Sequence, residues 1–452
     1  MATPDLRLNS HLATYAVNYF LFGFEAANGS RRGIYQVFKS LYKGMKEIDH
    51  RHVQLVFVKS DSIFEENDTP CQSPNHISNH SKYRKSILRK AIVIISRNFA
   101  KFLDITFSSS LHLPIIWLTV KSPWSGQIRK ILQQKIHFCH RALGHSRIAS
   151  SIIVELGLPV HIQEKSWLIC LAPTMAPRQR NCRLATFVHD LIALDFFTHG
   201  ESRSAWLSRL NCCCQNSDII ICVSHTTAKR LILHNPSVKR KVRVIYPSIS
   251  EISTHNSRES QSRYTLPISL CSIDSVEPRK NWPGILQALL YTVKLPPIQF
   301  TFIGGEPSCD PGFHRRLRDL TCKLHEDSPH SVIFAGRVSA EEKCKYLQQS
   351  AAFVYVPFME GAALPIIEAQ LLGCPTLISD LPVFREFIHA ENAYFADPNQ
   401  PASIGAALQK LCTDLKNGKV TPAHDSHFLA PLASPTRFAR EVMAALVAAD
   451  CH

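Results

Sequence analysis

The sequence predicts an α/β fold in which two doubly wound, Rossmann-like domains face each other across a cleft. Strand-like apolar runs alternate with helical patterns along most of the 452 residues, which is typical of domains built on parallel sheets. The polar stretch Ser250–Ser262 interrupts this alternation and indicates a linker. We therefore expect an N-terminal domain (1–250), a linker (251–266), a C-terminal domain (267–432) and a last segment (433–452).

The N-terminal half contains six strand candidates and one clear amphipathic helix. The helix follows Gly33, and its apolar side chains recur at about 3.6-residue spacing from Ile34 to Met45. The strand candidates are Val53–Val58, Ile115–Val120, Trp167–Leu171, Ala185–His189, Ile219–Val223 and Val242–Ile245. Ligands bind beyond the carboxyl ends of such strands, so residues at those ends are site candidates.

The C-terminal half repeats the alternation with its own boundary signals. Proline near the first turn and glycine just past the end predict a short helix from Pro365 to Gly373. The predicted strands are Ile268–Ile273, Phe300–Ile303, Val332–Phe334 and Ala352–Val356. A further helix is predicted to begin at Pro283, and three more cover Phe313–Leu324, Ala340–Gln349 and Thr436–Ala448.

Composition argues against several classes of protein. No run reaches the roughly 18 apolar residues of a spanning helix, and the first residues lack the apolar core of a secretory signal. The 15 cysteines are odd in number and include no Cys-x-x-Cys pair, so we expect reduced thiols in a cytoplasmic protein. No Cys/His metal pattern occurs, and we expect neither a metal site nor a cofactor.

Positive charge is confined to one half of the chain. Residues 1–250 carry 33 Lys and Arg against 15 Asp and Glu, whereas the remainder carries 18 against 21. This asymmetry indicates an acidic partner for the first domain, such as anionic lipid or a phosphorylated substrate, or else a solvated face that keeps the chain soluble. Nucleic acid would also be acidic, but no basic motif with interleaved aromatics supports that partner.

The densest candidate site lies between Glu360 and Glu368. A strand runs into a loop with one carboxylate, and the first turn of the next helix is expected to carry the second carboxylate. Loop N–H groups and a helix N-terminus together suit a diphosphate. Glu368 would then reach a ribose or sugar hydroxyl, although a carboxylate that merely favours the helix dipole remains an alternative.

The two glutamates and their neighbours resemble the Glu-x7-Glu signature of retaining glycosyltransferases of family 4. Other segments resemble further motifs of that family in the same order. They are Arg32–Val37, His189–Ile192, Val223-Ser224, Glu277–Asn281, Ile303–Gly305 and Phe334–Glu342. The resemblance implies the GT-B fold, with the C-terminal helix packing back on the N-terminal domain.

The resemblance also implies roles for individual residues. Arg279 and Lys280 would hold the donor's diphosphate, and the backbone of Gly361, Ala362, Ala363 and Leu364 would cradle it. Glu368 would bind the ribose. Glu360 and His189 are the expected catalytic residues, with Glu360 positioning the transferred sugar. Gly33, His189 and Asp190 are expected on the acceptor side.

The expected reaction is transfer of a hexose from a nucleotide sugar to a cell-surface polysaccharide or lipid-linked glycan precursor. The Glu-Pro-Arg-Lys-Asn form at 277–281 resembles the mannosyltransferase-like branch, so GDP-mannose is the favoured donor and UDP-glucose the second. The absence of Asp-x-Asp predicts activity without a metal ion. The basic segment Trp124–Arg141 could form an interfacial helix on the anionic inner face of the cytoplasmic membrane, or an ordinary core-facing helix.

Two departures from the family pattern leave a non-catalytic scaffold or partner protein as the alternative. Ala362-Ala363 replaces a Phe-Gly pair, and Ala at the second position is penalised if φ must be positive. A glycine there would also let the backbone approach a phosphate closely, so the replacement is expected to affect donor affinity. The loop Asn28–Gly33 places two arginines where the family has a glycine-rich turn.

Overall fold

The structure of the protein is a computed structural model. It describes residues 18–23, 33–48, 53–57, 104–108, 117–121, 166–173, 182–196, 203–249, 264–305, 310–389, 391, 393–420 and 429–450. The predicted interfacial segment 124–141 and most of the predicted linker lie outside these residues. Within the described part of the chain, no helix combines the length and the apolar character needed to cross a bilayer.

The N-terminal domain is built on a six-stranded parallel sheet with the order β2-β1-β5-β6-β7-β8, and β3 and β4 form a separate antiparallel pair. Its strands are β1 (Asn18–Gly23), β2 (Val53–Phe57), β3 (Asp104–Ser108), β4 (Trp117–Lys121), β5 (Ser166–Cys170), β6 (Cys182–Val188), β7 (Ile219–Cys222) and β8 (Val242–Val244). Its helices are α1 (Gly33–Ile48), α2 (Arg203–Asn216) and α3 (His225–His234). Strands β1 and β3 were not predicted from the sequence, and the strand predicted to include His189 ends at Val188.

The C-terminal domain has a second six-stranded parallel sheet, ordered β11-β10-β9-β12-β13-β14. The strands are β9 (Ile268–Ile273), β10 (Ile298–Ile303), β11 (Ser331–Gly336), β12 (Ala352–Tyr355), β13 (Thr376–Ser379) and β14 (Tyr394–Ala396). The helices are α4 (Trp282–Tyr291), α5 (Pro311–Asp327), α6 (Ala340–Gln349), α7 (Leu364–Leu371), α8 (Pro382–Arg385), α9 (Pro401–Lys416) and α10 (Pro435–Asp450). Counted within the domain, this is the doubly wound order 3-2-1-4-5-6. The predicted fold class is confirmed.

Local sequence explains where several helices begin. Asp310 accepts the N–H groups of Gly312 and Phe313 at the start of α5, and Ser339 forms a capping box with Glu342 at the start of α6. Such caps satisfy N–H groups that lack partners within the helix and contribute about 1 kcal/mol each. The central strands β7, β12 and β13 are buried along their whole length, as parallel strands covered on both faces require.

The last helix, α10, belongs to the core of the N-terminal domain although it follows the C-terminal domain in the chain. Phe438, Val442 and Leu446 are fully buried in the cluster that contains the apolar face of α1. A Cβ atom on Gly44 of α1 would lie 2.1 Å from the Pro435 carbonyl oxygen, so the two helices approach too closely for a larger residue there. The C-terminal helix therefore ties the two domains together.

Candidate active site

The switch point of the C-terminal sheet lies between β9 and β12, where successive strands wind in opposite directions. These two strands pair in parallel, so their carboxyl ends meet at one edge of the sheet. Asp274 directly follows β9, Tyr355 is the last residue of β12, and the loop after β12 carries Glu360. In doubly wound sheets, this is the edge where ligands bind.

Two cations and three carboxylates form a tight cluster at this edge. One oxygen of Glu360 accepts hydrogen bonds from Lys280 Nζ at 2.5 Å and from Arg279 Nη1 at 2.6 Å. Lys280 also forms an ion pair with Asp274, and Arg279 Nε pairs with Glu277 at 3.1 Å. The structure thus brings together the Arg279, Lys280 and Glu360 side chains that the sequence predicted as site residues.

Tyr355 connects the members of this cluster. Its hydroxyl lies 2.5 Å from Asp274 Oδ2 and 2.9 Å from both Glu360 Oε1 and Lys280 Nζ. Burial, followed by the charges of Asp274 and Glu360, raises the pKa of Tyr355 well above its ordinary value of 10. The phenol therefore stays neutral and donates its proton to one of the carboxylates.

The charges at the cluster are stabilised by one another. Burial opposes ionisation of Glu360, but Arg279 and Lys280 outweigh this effect and lower its pKa below the usual value. Burial likewise disfavours the charged form of Arg279, yet Glu360, Asp274 and Glu277 raise its pKa above the usual value. Both groups are ionised near neutral pH, and the cations are paired with carboxylates rather than free in solvent.

Asn281 fixes the direction in which Lys280 enters the cluster. It adopts a left-handed conformation with φ of 58°, which asparagine tolerates better than most residues. Its amide Nδ2 donates to the Val356 and Pro398 carbonyls at 3.1 and 2.8 Å, which ties the turn to the loop after β12. Asn281 belongs to the motif 277–281, but no role was predicted for it.

Glu368 lies on α7 and is held by a neighbouring helix. Its carboxylate pairs with Lys343 Nζ of α6 at 2.8 Å, and the two side chains are 13% and 22% exposed. If Glu368 accepts a hydrogen bond from a nucleoside hydroxyl, as predicted, its carboxylate would bind that hydroxyl and Lys343 together. The contact with Lys343 could not be foreseen from the sequence, because the two residues lie 25 positions apart on different helices.

The start of α7 is compatible with an anion, and it corrects the predicted position of Glu368. The first turn has no acidic residue, because Glu368 is the fifth residue of α7, so its predicted place in the first turn and the helix-dipole alternative were wrong. Ala363 occupies the N-cap position with φ of −101° and no side-chain hydrogen bond, so the penalty for a positive φ does not arise. Ala363 is fully buried, whereas Ala362 and Leu364 pack partly against the N-terminal core.

Gly361 is the point where the loop meets the N-terminal domain. A Cβ atom at this position would lie 2.0 Å from the carbonyl oxygen of His189 and 2.8 Å from Cβ of Asp190. The Gly361 carbonyl accepts a hydrogen bond of 2.8 Å from the Ser224 hydroxyl, which also caps α3. The close approach between the domains therefore requires glycine here.

A second interdomain contact lies beside the first. The Glu386 carboxylate accepts the backbone N–H groups of His225 and Thr226, at 2.7 and 2.6 Å, at the N-terminus of α3. A carboxylate at this end of a helix is favoured by the helix dipole. Ser224, Thr226 and Glu386 were not predicted as functional residues, because only the fold brings α3 and the C-terminal domain together.

His189 follows β6 and faces Gly361 across the domain boundary. Its Nε2 lies 2.6 Å from the Leu171 carbonyl oxygen, and because a carbonyl can only accept, Nε2 must carry a proton. Burial lowers the pKa of His189 below 6.5, against the opposing effects of the Leu171 carbonyl and the Asp190 charge. The ring is therefore neutral at pH 7, and Nδ1 can accept a hydrogen bond from a ligand hydroxyl.

The other two predicted acceptor-side residues have mainly backbone roles in the structure. Asp190 Oδ1 accepts the Ile192 N–H at 2.9 Å, which stabilises the short turn after β6. Gly33 is the first residue of α1. The arginine-containing part of the loop before Gly33 lies outside the described residues, so its predicted effect on the anion site stays a prediction.

We expect protonation of His189 to destabilise the fold in acid. With a folded-state pKa below the unfolded value near 6.5, the unfolded chain binds more protons, so stability falls as the pH drops below about 6.5. Thermal unfolding between about pH 7.5 and pH 5.5 should show a smaller loss for His189→Gln than for the wild type. Burial also lowers the pKa of His330. The wild type and His189→Gln should therefore both keep some sensitivity to acid.

Exposed His234 at the end of α3 provides the matched control. His234→Gln should keep the pH dependence of the wild type. Equal acid sensitivity in His189→Gln and the wild type would contradict the assignment of a neutral ring to His189.

The geometry of the C-terminal domain agrees with its similarity to known proteins. The family model of glycosyl transferases group 1 matches residues 253–419. The C-terminal domain is a glycosyl transferases group 1 domain. The match includes the cation and carboxylate cluster and both glutamates of the spaced pair. The resemblance stated from the sequence is confirmed at this level, while assignment to family 4 stays a prediction.

Curated proteins similar to part of the chain include bacterial mannosyltransferases. The chain is 24% identical over 211 residues to the serotype-specific mannosyltransferase WbdA of Escherichia coli, covering 44% of this chain and 25% of that protein. It is 33% identical over 146 residues to the O-antigen chain mannosyltransferase B of Escherichia coli, covering 31% of this chain and 36% of that protein. The chain thus matches a quarter to about a third of the length of these relatives.

Solved structures extend the similarity to the whole fold. The structure of Anabaena Alr3699/HepE in complex with UDP-glucose aligns with a TM-score of 0.59 at 11% identity, covering 95% of this chain and 99% of that one. A mutant of S. aureus TarM, in complex with fondaparinux, α-GlcNAc-glycerol and UDP, aligns with a TM-score of 0.54 at 11% identity, covering 96% and 99%. At these identities the likeness concerns the fold, which is that of GT-B glycosyltransferases.

Proposed function

We propose that the protein is a retaining glycosyltransferase of family 4 that transfers mannose from GDP-mannose to a cell-surface polysaccharide or lipid-linked glycan precursor. The observation that carries the proposal is the buried pair Arg279 and Lys280 beside Glu360, at the switch point of a glycosyl transferases group 1 domain. The mannosyltransferase relatives favour mannose as the sugar. UDP-glucose is the second candidate donor.

In this proposal, the diphosphate of the donor binds Arg279 and Lys280. The N-terminus of α7 and the loop before it add backbone N–H groups. Glu368 accepts a hydrogen bond from a ribose hydroxyl. His189 accepts one from the transferred sugar or from the acceptor through Nδ1. Fixed cations suit a leaving diphosphate, because its negative charge increases as the glycosidic bond breaks.

The proposed reaction retains the anomeric configuration without a protein nucleophile. The acceptor hydroxyl oxygen forms a bond to the anomeric carbon on the face from which the diphosphate leaves. The bond between that carbon and the phosphate oxygen breaks, and the departing phosphate takes the hydroxyl proton. The products are the glycoside and a nucleoside diphosphate, whose charge Arg279 and Lys280 balance.

The scaffold alternative rests on Ala362-Ala363. The φ of −101° at Ala363 removes the backbone penalty from this support, whereas the effect of the missing glycine on donor binding stays a prediction. The presence of Lys280 and Arg279 side by side at the switch point supports the enzyme proposal over the scaffold alternative. Membrane binding through residues 124–141, a cytoplasmic location at the membrane's inner face and the identity of the acceptor stay predictions.

A direct assay tests the proposed function. The protein should transfer mannose from GDP-mannose to a mannose-containing acceptor in EDTA, because protein cations rather than a metal ion hold the diphosphate. Proton NMR of the product should show the α-configuration of the donor retained. Activity that EDTA abolishes and magnesium or manganese restores would contradict metal independence. Inversion at the anomeric carbon would contradict the retaining mechanism.

A further inference from the structure

We propose that Glu360 competes with the donor's diphosphate for Lys280 and Arg279, and that it is released toward the sugar when the diphosphate binds. This inference rests on the proposed function and adds a regulatory role for one residue of the same site. A single oxygen, Glu360 Oε1, accepts hydrogen bonds from Lys280, Arg279 and the Tyr355 hydroxyl.

The donor groups around Glu360 Oε1 are the groups that a phosphate oxygen would need. Lys280 Nζ and Arg279 Nη1 approach this oxygen to 2.5 and 2.6 Å, which is the range of charge-assisted hydrogen bonds. A phosphate oxygen placed between Lys280 Nζ and Arg279 Nη1 in the same way would occupy the volume of the carboxylate oxygen. Glu360 and the diphosphate therefore compete for this position between the two cations.

The charge balance of the cluster favours the exchange. Asp274, Glu277 and Glu360 contribute three negative charges, while Arg279 and Lys280 contribute two positive charges. A diphosphate added to this set would meet a net negative charge in a site from which water is largely excluded. If Glu360 leaves, the remaining two carboxylates and two cations balance, and the repulsion of the diphosphate is reduced.

The surroundings of the cluster keep the cations in place during the exchange. Asp274 retains its ion pair with Lys280, and Glu277 retains its pair with Arg279 at 3.1 Å. Once released, Glu360 can accept hydrogen bonds from hydroxyls of the transferred sugar, which is the positioning role that the sequence resemblance implies. After transfer, its return would speed release of the nucleoside diphosphate.

The test is the affinity for GDP, measured by calorimetry on the full chain. Glu360→Gln should bind GDP at least about tenfold more tightly than the wild type, a difference of about 1.4 kcal/mol, while mannose transfer slows. Glu360→Asp keeps the negative charge but shortens the side chain by one methylene group. It should therefore also bind GDP more tightly than the wild type. Thermal unfolding confirms that each variant is folded.

Glu277→Gln is the matched control, because it removes the same charge from the same cluster without freeing Lys280. It should gain less than about threefold in affinity. An equal gain in Glu277→Gln and Glu360→Gln would show a general charge effect and overturn the competition. Unchanged or weaker GDP binding by both Glu360 variants would also overturn it.

Failure of the proposed function gives a different result. If neither the wild type nor the Glu360 variants bind GDP or UDP, the donor site itself is wrong, and the competition is overturned with it. If the wild type binds GDP and Lys280→Ala does not, the donor site stands, and the Glu360 variants alone decide the inference.

Discussion

Lys280→Ala should reduce the affinity for GDP by about 30- to 700-fold, corresponding to about 2–4 kcal/mol. Lys280 is buried at the end of a turn that Asn281 locks in place, and its ammonium contacts Asp274 and Glu360 at the switch point. In the variant, a phosphate that binds there would lack the fixed positive charge of Lys280 in a site with little water. Calorimetry with GDP measures the loss.

The variant also leaves Asp274 and Glu360 without their shared cation, so its folding must be checked by thermal unfolding. Lys345→Ala is the matched control, since Lys345 is 58% exposed and pairs with Glu341 on the surface of α6. It should leave GDP binding unchanged. Wild-type affinity in a folded Lys280→Ala protein would disprove the assignment of Lys280 to the diphosphate.

Gly361→Ala should lower kcat/KM for mannose transfer by roughly 10- to 100-fold, because the added methyl group would push the two domains apart. The methyl carbon would lie 2.0 Å from the His189 carbonyl oxygen, and backbone atoms cannot move aside as a flexible side chain can. Overpacking of this kind costs about 1–3 kcal/mol. The affinity for GDP should fall less, since the cation cluster belongs to the C-terminal domain alone.

Small-angle X-ray scattering provides an independent measure of the same effect. A larger radius of gyration in Gly361→Ala would accompany the loss of transfer. Gly312→Ala is the control, because the added carbon on this exposed glycine of α5 would meet its nearest atom at 3.2 Å. A kcat/KM of Gly361→Ala within about threefold of the wild type would show that close contact between Gly361 and His189 is not needed.

Most of the fold could be predicted from the sequence, because its elements are marked by local patterns. Strand β9 and helix α6 were predicted with their observed bounds, since a buried apolar run and a capping box mark them. Strands β13 and β14 were missed, because four and three residues carry too little pattern. Strand β1 was missed as well, because a short apolar run does not by itself distinguish a strand from part of a buried helix.

The candidate site was predictable only where its residues belong to a motif. Arg279, Lys280, Glu360 and Glu368 stand in spaced segments whose chemistry is visible in the sequence. Tyr355 was interpreted as one more apolar strand residue, because nothing local reveals that its hydroxyl meets a buried lysine. The φ of Ala363 could not be predicted, because the sequence shows residue type and not backbone conformation.

Local sequence was sufficient for the fold class, for the group of enzymes that the C-terminal domain resembles, and for the charged residues at its switch point. These properties follow from periodicity and from short motifs, so they need no knowledge of distant contacts. The convergence of Lys280, Arg279 and Tyr355 on one oxygen of Glu360, and the contact of Gly361 with His189, arise only in the folded chain. Lys280 and Tyr355 lie 75 positions apart, and Gly361 and His189 belong to different domains. These residues meet because two parallel sheets and a returning helix bring distant strand ends together.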